Sequence, residues 1–216
     1  MFIGYYNLAN LVTLLGLASS VMACFVSVSY INDPQKIKIA VALFLFSGLC
    51  DMFDGRIARG AGSRGRKQKL FGIQIDTVCD MVSFGITPVV IAYCLGFKEI
   101  YSCAVYVLYA CCAAIRLAYF NTQAVEETPD LNMKAFTGVP VPFSCLILPP
   151  LMMLFSFCAL NVVKAAFLVL YFITGIAFIF NVKIKKMNII QSIVLIAAEL
   201  LCVTLMFVLK TKQCGL

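Results

Sequence analysis

The chain has 216 residues, of which 62% are hydrophobic and only 12% are charged. Soluble domains have roughly 45–50% apolar and about 25% charged residues, so this composition excludes an ordinary soluble domain and predicts an integral membrane protein. The sequence contains 17 basic and 10 acidic residues but no histidine. The missing histidine excludes that residue as a general base or metal ligand, and carboxylates become the main candidates for acid–base chemistry.

Seven apolar segments follow one another along the chain. A hydrocarbon core of about 30 Å requires roughly 20 apolar residues in each spanning helix. The predicted segments are residues 8–31, 36–58, 72–96, 100–120, 139–159, 162–182 and 188–209. We therefore predict an all-α, polytopic transmembrane helix bundle that forms one domain over residues 1–216, with the seventh span as the least supported segment.

Basic residues are concentrated in two of the connections between these segments. Residues 60–69 contain four lysines or arginines, and residues 183–186 contain three. Such connections remain on the cytoplasmic side of a membrane. By alternation, residues 121–138 lie on the same side, whereas residues 32–38, 96–99 and 160–164 lie outside. We expect this topology in a bacterial cytoplasmic membrane.

Four of the ten acidic residues lie in or beside two neighbouring apolar segments. Asp51 and Asp54 come late in the second segment, and Asp76 and Asp80 come early in the third. One aspartate at the centre of a spanning helix costs about 2.5–3.5 kcal/mol to insert. Spacings of three and four residues place each pair on one face of its helix. Since the second segment ends where the third begins, we expect the four carboxylates to converge.

Converging carboxylates need a positive partner, because like charges at short distance cannot all remain ionised. Mg²⁺ and Mn²⁺ prefer oxygen ligands and often bridge to phosphates, so the cluster predicts a divalent site that holds two metal ions. Small residues allow a bulky ligand to approach a helix, and arginine offers planar donors to phosphate oxygens. Such residues surround the acids: Gly55, Arg56, Ala58, Arg59, Gly60 and Gly72.

The spacing of these residues resembles a known signature. The string Asp51-x-x-Asp54-Gly55-x-x-Ala58-Arg59, followed by Gly72-x-x-x-Asp76-x-x-x-Asp80, resembles that of the CDP-alcohol phosphatidyltransferases. Residues 71–76, 83–88, 116–121 and 136–142 are similar to the type II phosphatidylserine synthase branch of this family. The resemblance extends over about residues 7–150.

This resemblance implies a six-helix core, a homodimer, and a site that opens to the cytoplasm and to lipid. It implies transfer of a phosphatidyl group from CDP-diacylglycerol to L-serine, with CMP as the second product and no nucleic acid as a partner. Asp51, Asp54 and Asp76 would be metal ligands, and Asp80 would be the general base and a further ligand. The residues that would line the CDP pocket are Gly55, Ala58, Arg59 and Gly72.

Arg116, near the cytoplasmic end of the fourth segment, is the candidate for binding the acceptor carboxylate or a lipid phosphate. Two features depart from the family pattern. The interval between Arg59 and Gly72 is longer than the commonest spacing, and Tyr119 stands where the synthase branch often has a second arginine. The second departure weakens the assignment of serine, so glycerol 3-phosphate, inositol phosphate and choline stay open as acceptors.

A different class of function is a small cation transporter, in which the same carboxylates bind and release an ion. Inverted repeats and discontinuous helices would favour it, and the sequence shows no internal repeat. Glu199 lies midway along the last segment. Its role stays open between an oligomer contact, a proton-coupled group and a sign that this segment is not a simple span.

Overall fold

The computed structural model describes residues 3–60, 65–126, 135–137, 139–181, 183–185 and 189–209. Its α-helices are α1 (Leu8–Ser29), α2 (Pro34–Gly60), α3 (Arg66–Asp80), α4 (Thr87–Cys94), α5 (Ile100–Glu126), α6 (Leu148–Phe157), α7 (Leu160–Ile179) and α8 (Ile189–Val208). A π-helix (Met81–Ile86) joins α3 to α4, and a 3-10 helix (Val141–Leu146) precedes α6. Two short strands, β1 (Ala135–Thr137) and β2 (Lys183–Lys185), pair in antiparallel orientation.

Each of the seven predicted apolar segments contains helix, which confirms the all-α, polytopic bundle. Two boundaries were predicted wrongly. The third helix begins at Arg66 rather than at residue 72, and α5 continues to Glu126 rather than ending at residue 120. In the first case arginine, lysine and glutamine, which are good helix formers, extend the helix into the basic connection. The two strands were not predicted.

In the part of the chain that the structure describes, length and composition qualify four helical segments for crossing a membrane. They are Leu8–Ser29, Arg66–Cys94, Ile100–Gln123 and Leu160–Ile179. Val141–Phe157 and Ala197–Val208 are shorter apolar helices. The helix α2 has 27 residues, but it carries lysines near its beginning and aspartates near its end. These charges set α2 apart from the four segments that qualify.

The segments that connect the helices contact one another in two groups, one at each end of the bundle. At one end the Asn32 N–H donates to the carbonyl of Cys94 at 2.8 Å, and Lys164 pairs with Glu99. At the other end β1 pairs with β2, which joins the α5–α6 connection to the α7–α8 connection. This grouping is the one that alternation of spans predicts.

The helix α1 packs closely along α2. A Cβ atom at Gly16 would lie 3.0 Å from the Cβ of Cys50, and the Ser19 hydroxyl donates to the Leu43 carbonyl at 2.8 Å. In lipid, small residues at helix contacts allow backbones to approach and make dense packing possible. This packing brings the first helix beside the part of α2 that bears carboxylates.

The last helix, α8, packs against α6 and α2. Lys38 at the start of α2 is only 1% exposed. Its ammonium donates to the carbonyl of Leu209 at 2.6 Å and to the amide oxygen of Gln35 at 2.9 Å. A cation at the end of a helix compensates for carbonyls that lack a partner. The end of α8 therefore lies beside the start of α2.

Candidate active site

Three carboxylates from two helices meet between α2 and α3. One carboxylate oxygen from each of Asp51, Asp76 and Asp80 lies within 4.8 Å of those of the other two. The four-residue spacing on α3 places Asp76 and Asp80 on one face, and that face turns toward Asp51 of α2. The structure thus brings together three of the four aspartates that the sequence predicted to converge.

The fourth predicted residue, Asp54, lies one turn after Asp51 on α2. It is only 5% exposed, and its Oδ2 accepts a hydrogen bond of 2.5 Å from the Thr13 hydroxyl of α1. Asp54 is not part of the group whose oxygens lie within 4.8 Å. It lines the same small pocket as Asp51 and Asp80. The structure therefore places Asp54 next to the three clustered carboxylates, in contact with α1.

The three clustered carboxylates have no basic partner among the side chains that the structure describes. The two ion pairs found there, Lys36 with Asp33 and Lys164 with Glu99, belong to the opposite end of the bundle. Three carboxylates at this distance repel one another unless they share a cation. Their oxygen donors match the preference of Mg²⁺ and Mn²⁺, so the donor set fits a divalent ion.

A small pocket lies beside Asp51, Asp54 and Asp80. It is enclosed by α1, α2, α3 and the π-helix. Besides these aspartates, its lining residues are Thr13, Gly16, Leu17, Ser47, Cys79, Ser83 and Phe84. The first helix therefore contributes one side of the site.

Sequence reasoning assigned no residue of α1 to the site. The signal available was the pair Asn10 and Thr13, which are polar, three residues apart and buried in the first half of a strongly apolar helix. A Cβ at Gly72 would lie 3.7 Å from the Oδ1 of Asn10, which is ordinary contact. Contact with Asn10 would therefore not exclude a side chain at residue 72. Glycine at this position of α3 leaves that space open beside α1.

The other residues predicted to line the substrate pocket belong to α2. Gly55 and Ala58 follow Asp51 and Asp54 at four-residue spacing, so they extend the same helical faces toward the end of α2. Both are half-buried. The side chain of Arg59 lies outside the described part of the chain, and its role stays a prediction.

Arg116 lies on α5 and is only 5% exposed. Its Nε donates to the carbonyl of Val139 at 3.3 Å, and its guanidinium lies over the Phe120 ring, 5.6 Å from the centroid. Its Nη1 is buried without a hydrogen-bond partner among the described residues. A buried donor without a partner is costly, so this nitrogen is suited to an anionic ligand. Arg116 does not line the small pocket beside the carboxylates.

The helix changes its hydrogen-bonding pattern immediately after Asp80. Residues Met81–Ile86 form a π-helix, at the end of which the Thr87 N–H donates to the carbonyl of Val82, five residues earlier. Such turns are rare and are often found at functional sites. A signal for it is Pro88, because proline has no amide hydrogen for the ordinary helical bond. This change was not predicted from the sequence.

The region that contains these site residues matches a known protein family. The sequence profile of the CDP-alcohol phosphatidyltransferases matches residues 6–182, which is most of the chain. The chain belongs to the CDP-alcohol phosphatidyltransferase family. The matched region contains all four predicted aspartates and Arg116, whereas Glu199 and the rest of α8 lie beyond it.

Several curated relatives carry the name CDP-diacylglycerol–serine O-phosphatidyltransferase. The one from Saccharomyces cerevisiae is 29% identical over 143 residues, which are 63% of this chain and 50% of that protein. The one from Mycobacterium leprae is 34% identical over 126 residues, 57% of this chain and 40% of that protein. The one from Helicobacter pylori is 32% identical over 145 residues, 66% of this chain and 55% of that protein. The chain thus spans about half the length of these relatives.

Proposed function

We propose that the protein transfers a phosphatidyl group from CDP-diacylglycerol to the hydroxyl group of L-serine and releases CMP. The observation that carries this proposal is the meeting of Asp51, Asp76 and Asp80 within 4.8 Å in a member of this family. The activity named for the curated relatives supports serine as the acceptor. The same family membership favours an enzyme over a cation transporter.

Mg²⁺ or Mn²⁺ is the proposed cofactor, and its ligands are the carboxylates of Asp51, Asp76 and Asp80. Three oxygen donors without a described basic partner fit such an ion. When bound, divalent cations neutralise a diphosphate and stabilise the charge that develops on it during transfer. Asp54 completes the acidic environment, and the hydrogen bond from Thr13 orients its side chain.

Asp80 is the proposed general base. It belongs to the carboxylate cluster and also lines the small pocket. In the proposed reaction it accepts the proton of the serine hydroxyl while that oxygen attacks the phosphorus that bears diacylglycerol. The bond between this phosphorus and the CMP oxygen then breaks. A positioned base contributes about 10²–10⁴-fold to such a step.

The remaining site residues bind and orient the substrates. Gly55, Ala58 and Gly72 have no bulky side chain and leave room for the nucleotide, and Arg59 supplies donors for its phosphates. Arg116 binds the carboxylate of serine or a lipid phosphate through the nitrogen that has no described partner. Its guanidinium is held by Val139 and Phe120 and is therefore preorganised for an anion.

The carboxylate end of the bundle is proposed to face the cytoplasm of a bacterial cell. Arg66 and Lys67 at the start of α3 are exposed at this end, and basic residues favour the cytoplasmic side. A homodimer is the proposed assembly, on the basis of family resemblance.

One assay tests the activity. The purified protein in detergent is incubated with CDP-diacylglycerol, Mn²⁺ or Mg²⁺, and one acceptor at a time, and CMP and the lipid product are measured. Serine-dependent CMP release with formation of phosphatidylserine supports the proposal. Release only with glycerol 3-phosphate, inositol phosphate or choline would replace the acceptor. Cation flux into liposomes without CMP release under any condition would overturn the enzyme assignment.

A further inference from the structure

The π-helix is stabilised by two tyrosines from distant helices. Because Pro88 has no amide hydrogen, the carbonyl of Phe84 four residues earlier lacks its ordinary α-helical donor. The Tyr109 hydroxyl of α5 donates to this carbonyl at 2.8 Å. The Tyr171 hydroxyl of α7 donates to the carbonyl of Pro88 at 2.6 Å. Side chains thus supply hydrogen bonds at the point where the helical pattern changes.

The two tyrosines form a rigid support. Both are buried, and their ring centroids lie 5.2 Å apart. The helices that carry them are also close, since a Cβ at Gly175 of α7 would lie 3.2 Å from the Cα of Tyr109. A hydroxyl held in this way has little freedom to follow a displaced carbonyl.

The supported segment touches the candidate active site directly. Ser83 and Phe84 line the pocket beside Asp51 and Asp80. The Phe84 ring also packs against Phe44 of α2, with centroids 6.1 Å apart. Since a π-turn reaches one residue further than an α-turn, it changes the rotation of the preceding helix relative to the following one. The direction of the aspartates on α3 therefore depends on this turn.

We propose that Tyr109 and Tyr171 are positioning residues that keep residues 81–86 π-helical and so hold Asp76 and Asp80 toward Asp51. Without the Tyr109 hydroxyl the buried Phe84 carbonyl loses a donor, and without the Tyr171 hydroxyl the start of α4 loses a bond that fixes its position, so residues 81–86 can change their helical rotation. Such a change turns the carboxylates of α3 away from α2. The kinetic consequence rests on the proposed function, whereas the consequence for cation binding does not.

The test compares Tyr109→Phe and Tyr171→Phe with Tyr106→Phe as a matched control. Tyr106 is also buried on α5, and its ring lies 5.6 Å from that of Tyr171. Its hydroxyl has no hydrogen-bond partner in the described part of the structure. Each variant is purified in detergent, and its affinity for Mn²⁺ is measured by the electron paramagnetic resonance of free Mn²⁺. CMP release is followed in parallel.

We expect Tyr109→Phe and Tyr171→Phe each to weaken Mn²⁺ binding and to lower kcat by about tenfold, the effect of losing one buried hydrogen bond. In Tyr109→Phe and Tyr171→Phe, the KM for serine should stay within about twofold of the wild-type value. In Tyr106→Phe, the Mn²⁺ affinity, kcat and KM should all stay within about twofold of wild type, since the Tyr106 hydroxyl does not contact the π-helix. Mn²⁺ affinities equal to that of Tyr106→Phe would overturn the proposal. If one variant fails to fold, the other decides by the same measurement. If the wild type binds Mn²⁺ but releases no CMP, the proposed function fails while the Mn²⁺ affinities still decide the positioning role.

Discussion

The Thr13 hydroxyl of α1 donates a hydrogen bond of 2.5 Å to the Oδ2 of Asp54 on α2. Both side chains are buried. The bond links the first helix to the helix that carries Asp51 and Asp54, and it restricts the rotamer of the aspartate. It makes Thr13 a structural part of the candidate site.

Replacing Thr13 with valine keeps the side-chain shape but removes the donor to Asp54. A hydrogen bond to a charged group contributes about 1.5–3 kcal/mol, so we expect at least a roughly tenfold loss of kcat. Thr13→Ser retains the hydroxyl and should keep most of the activity. CMP release by the two variants measures the difference, and full activity of Thr13→Val would contradict this role.

Asp80→Asn should abolish CMP release, because the amide cannot accept the proton of the attacking hydroxyl. The matched control is Asp33→Asn. Asp33 pairs with Lys36 on the surface, at the end of the bundle away from the carboxylates, and such pairs contribute about 0–1 kcal/mol. Turnover of Asp80→Asn at the level of this control would remove Asp80 from the mechanism.

Removal of divalent ions should abolish turnover. It should also abolish the protection that CDP-diacylglycerol gives against thermal unfolding. Three carboxylates within 4.8 Å repel a diphosphate unless a cation lies between them. CDP-diacylglycerol should therefore raise the Tm in detergent only when Mg²⁺ or Mn²⁺ is present, and EDTA should reverse the shift. A ligand at about 100 times its Kd stabilises by about 2.7 kcal/mol, which a thermal scan detects. Protection that persists in EDTA, or in Asp51→Asn, would argue against this metal site.

Arg116→Lys should raise the KM for serine by about tenfold with a smaller effect on kcat. Lysine has no planar fork, so its single ammonium cannot donate to Val139 and bind an anion with the geometry that Arg116 offers. Initial rates at varied serine concentration measure the change. An unchanged KM for serine would indicate that Arg116 binds another group, such as a lipid phosphate.

Lys38→Met should destabilise the protein without lowering its activity at low temperature. The variant removes the ammonium from which the Leu209 carbonyl accepts a hydrogen bond, and a hydrogen bond to a charged group contributes about 1.5–3 kcal/mol. Lys36→Met is the control, because Lys36 is exposed and surface changes usually stay within about 0.5 kcal/mol. Equal Tm values for the two variants would show that Lys38 does not anchor α8.

Much of the fold follows from local properties of the sequence. The length of each apolar segment predicted the helices, and the acidic spacing on α3 predicted that Asp76 and Asp80 share a face. Both properties involve residues within a few turns of one another. The boundary at Arg66 was missed for the same kind of local reason, since a basic stretch is compatible with a loop and with a helix.

The sequence by itself determined that this is a helical membrane protein with carboxylates at one end of two neighbouring helices, because hydrophobicity and helical periodicity are encoded within each segment. Only the tertiary structure decided that Thr13 binds Asp54, that Asp54 lies next to the three clustered aspartates without joining their group, and that Tyr109 supports the helix after Asp80. Thr13 and Asp54 are 41 residues apart. Contacts over such separations depend on how helices pack, and the pattern within one helix does not specify its neighbours.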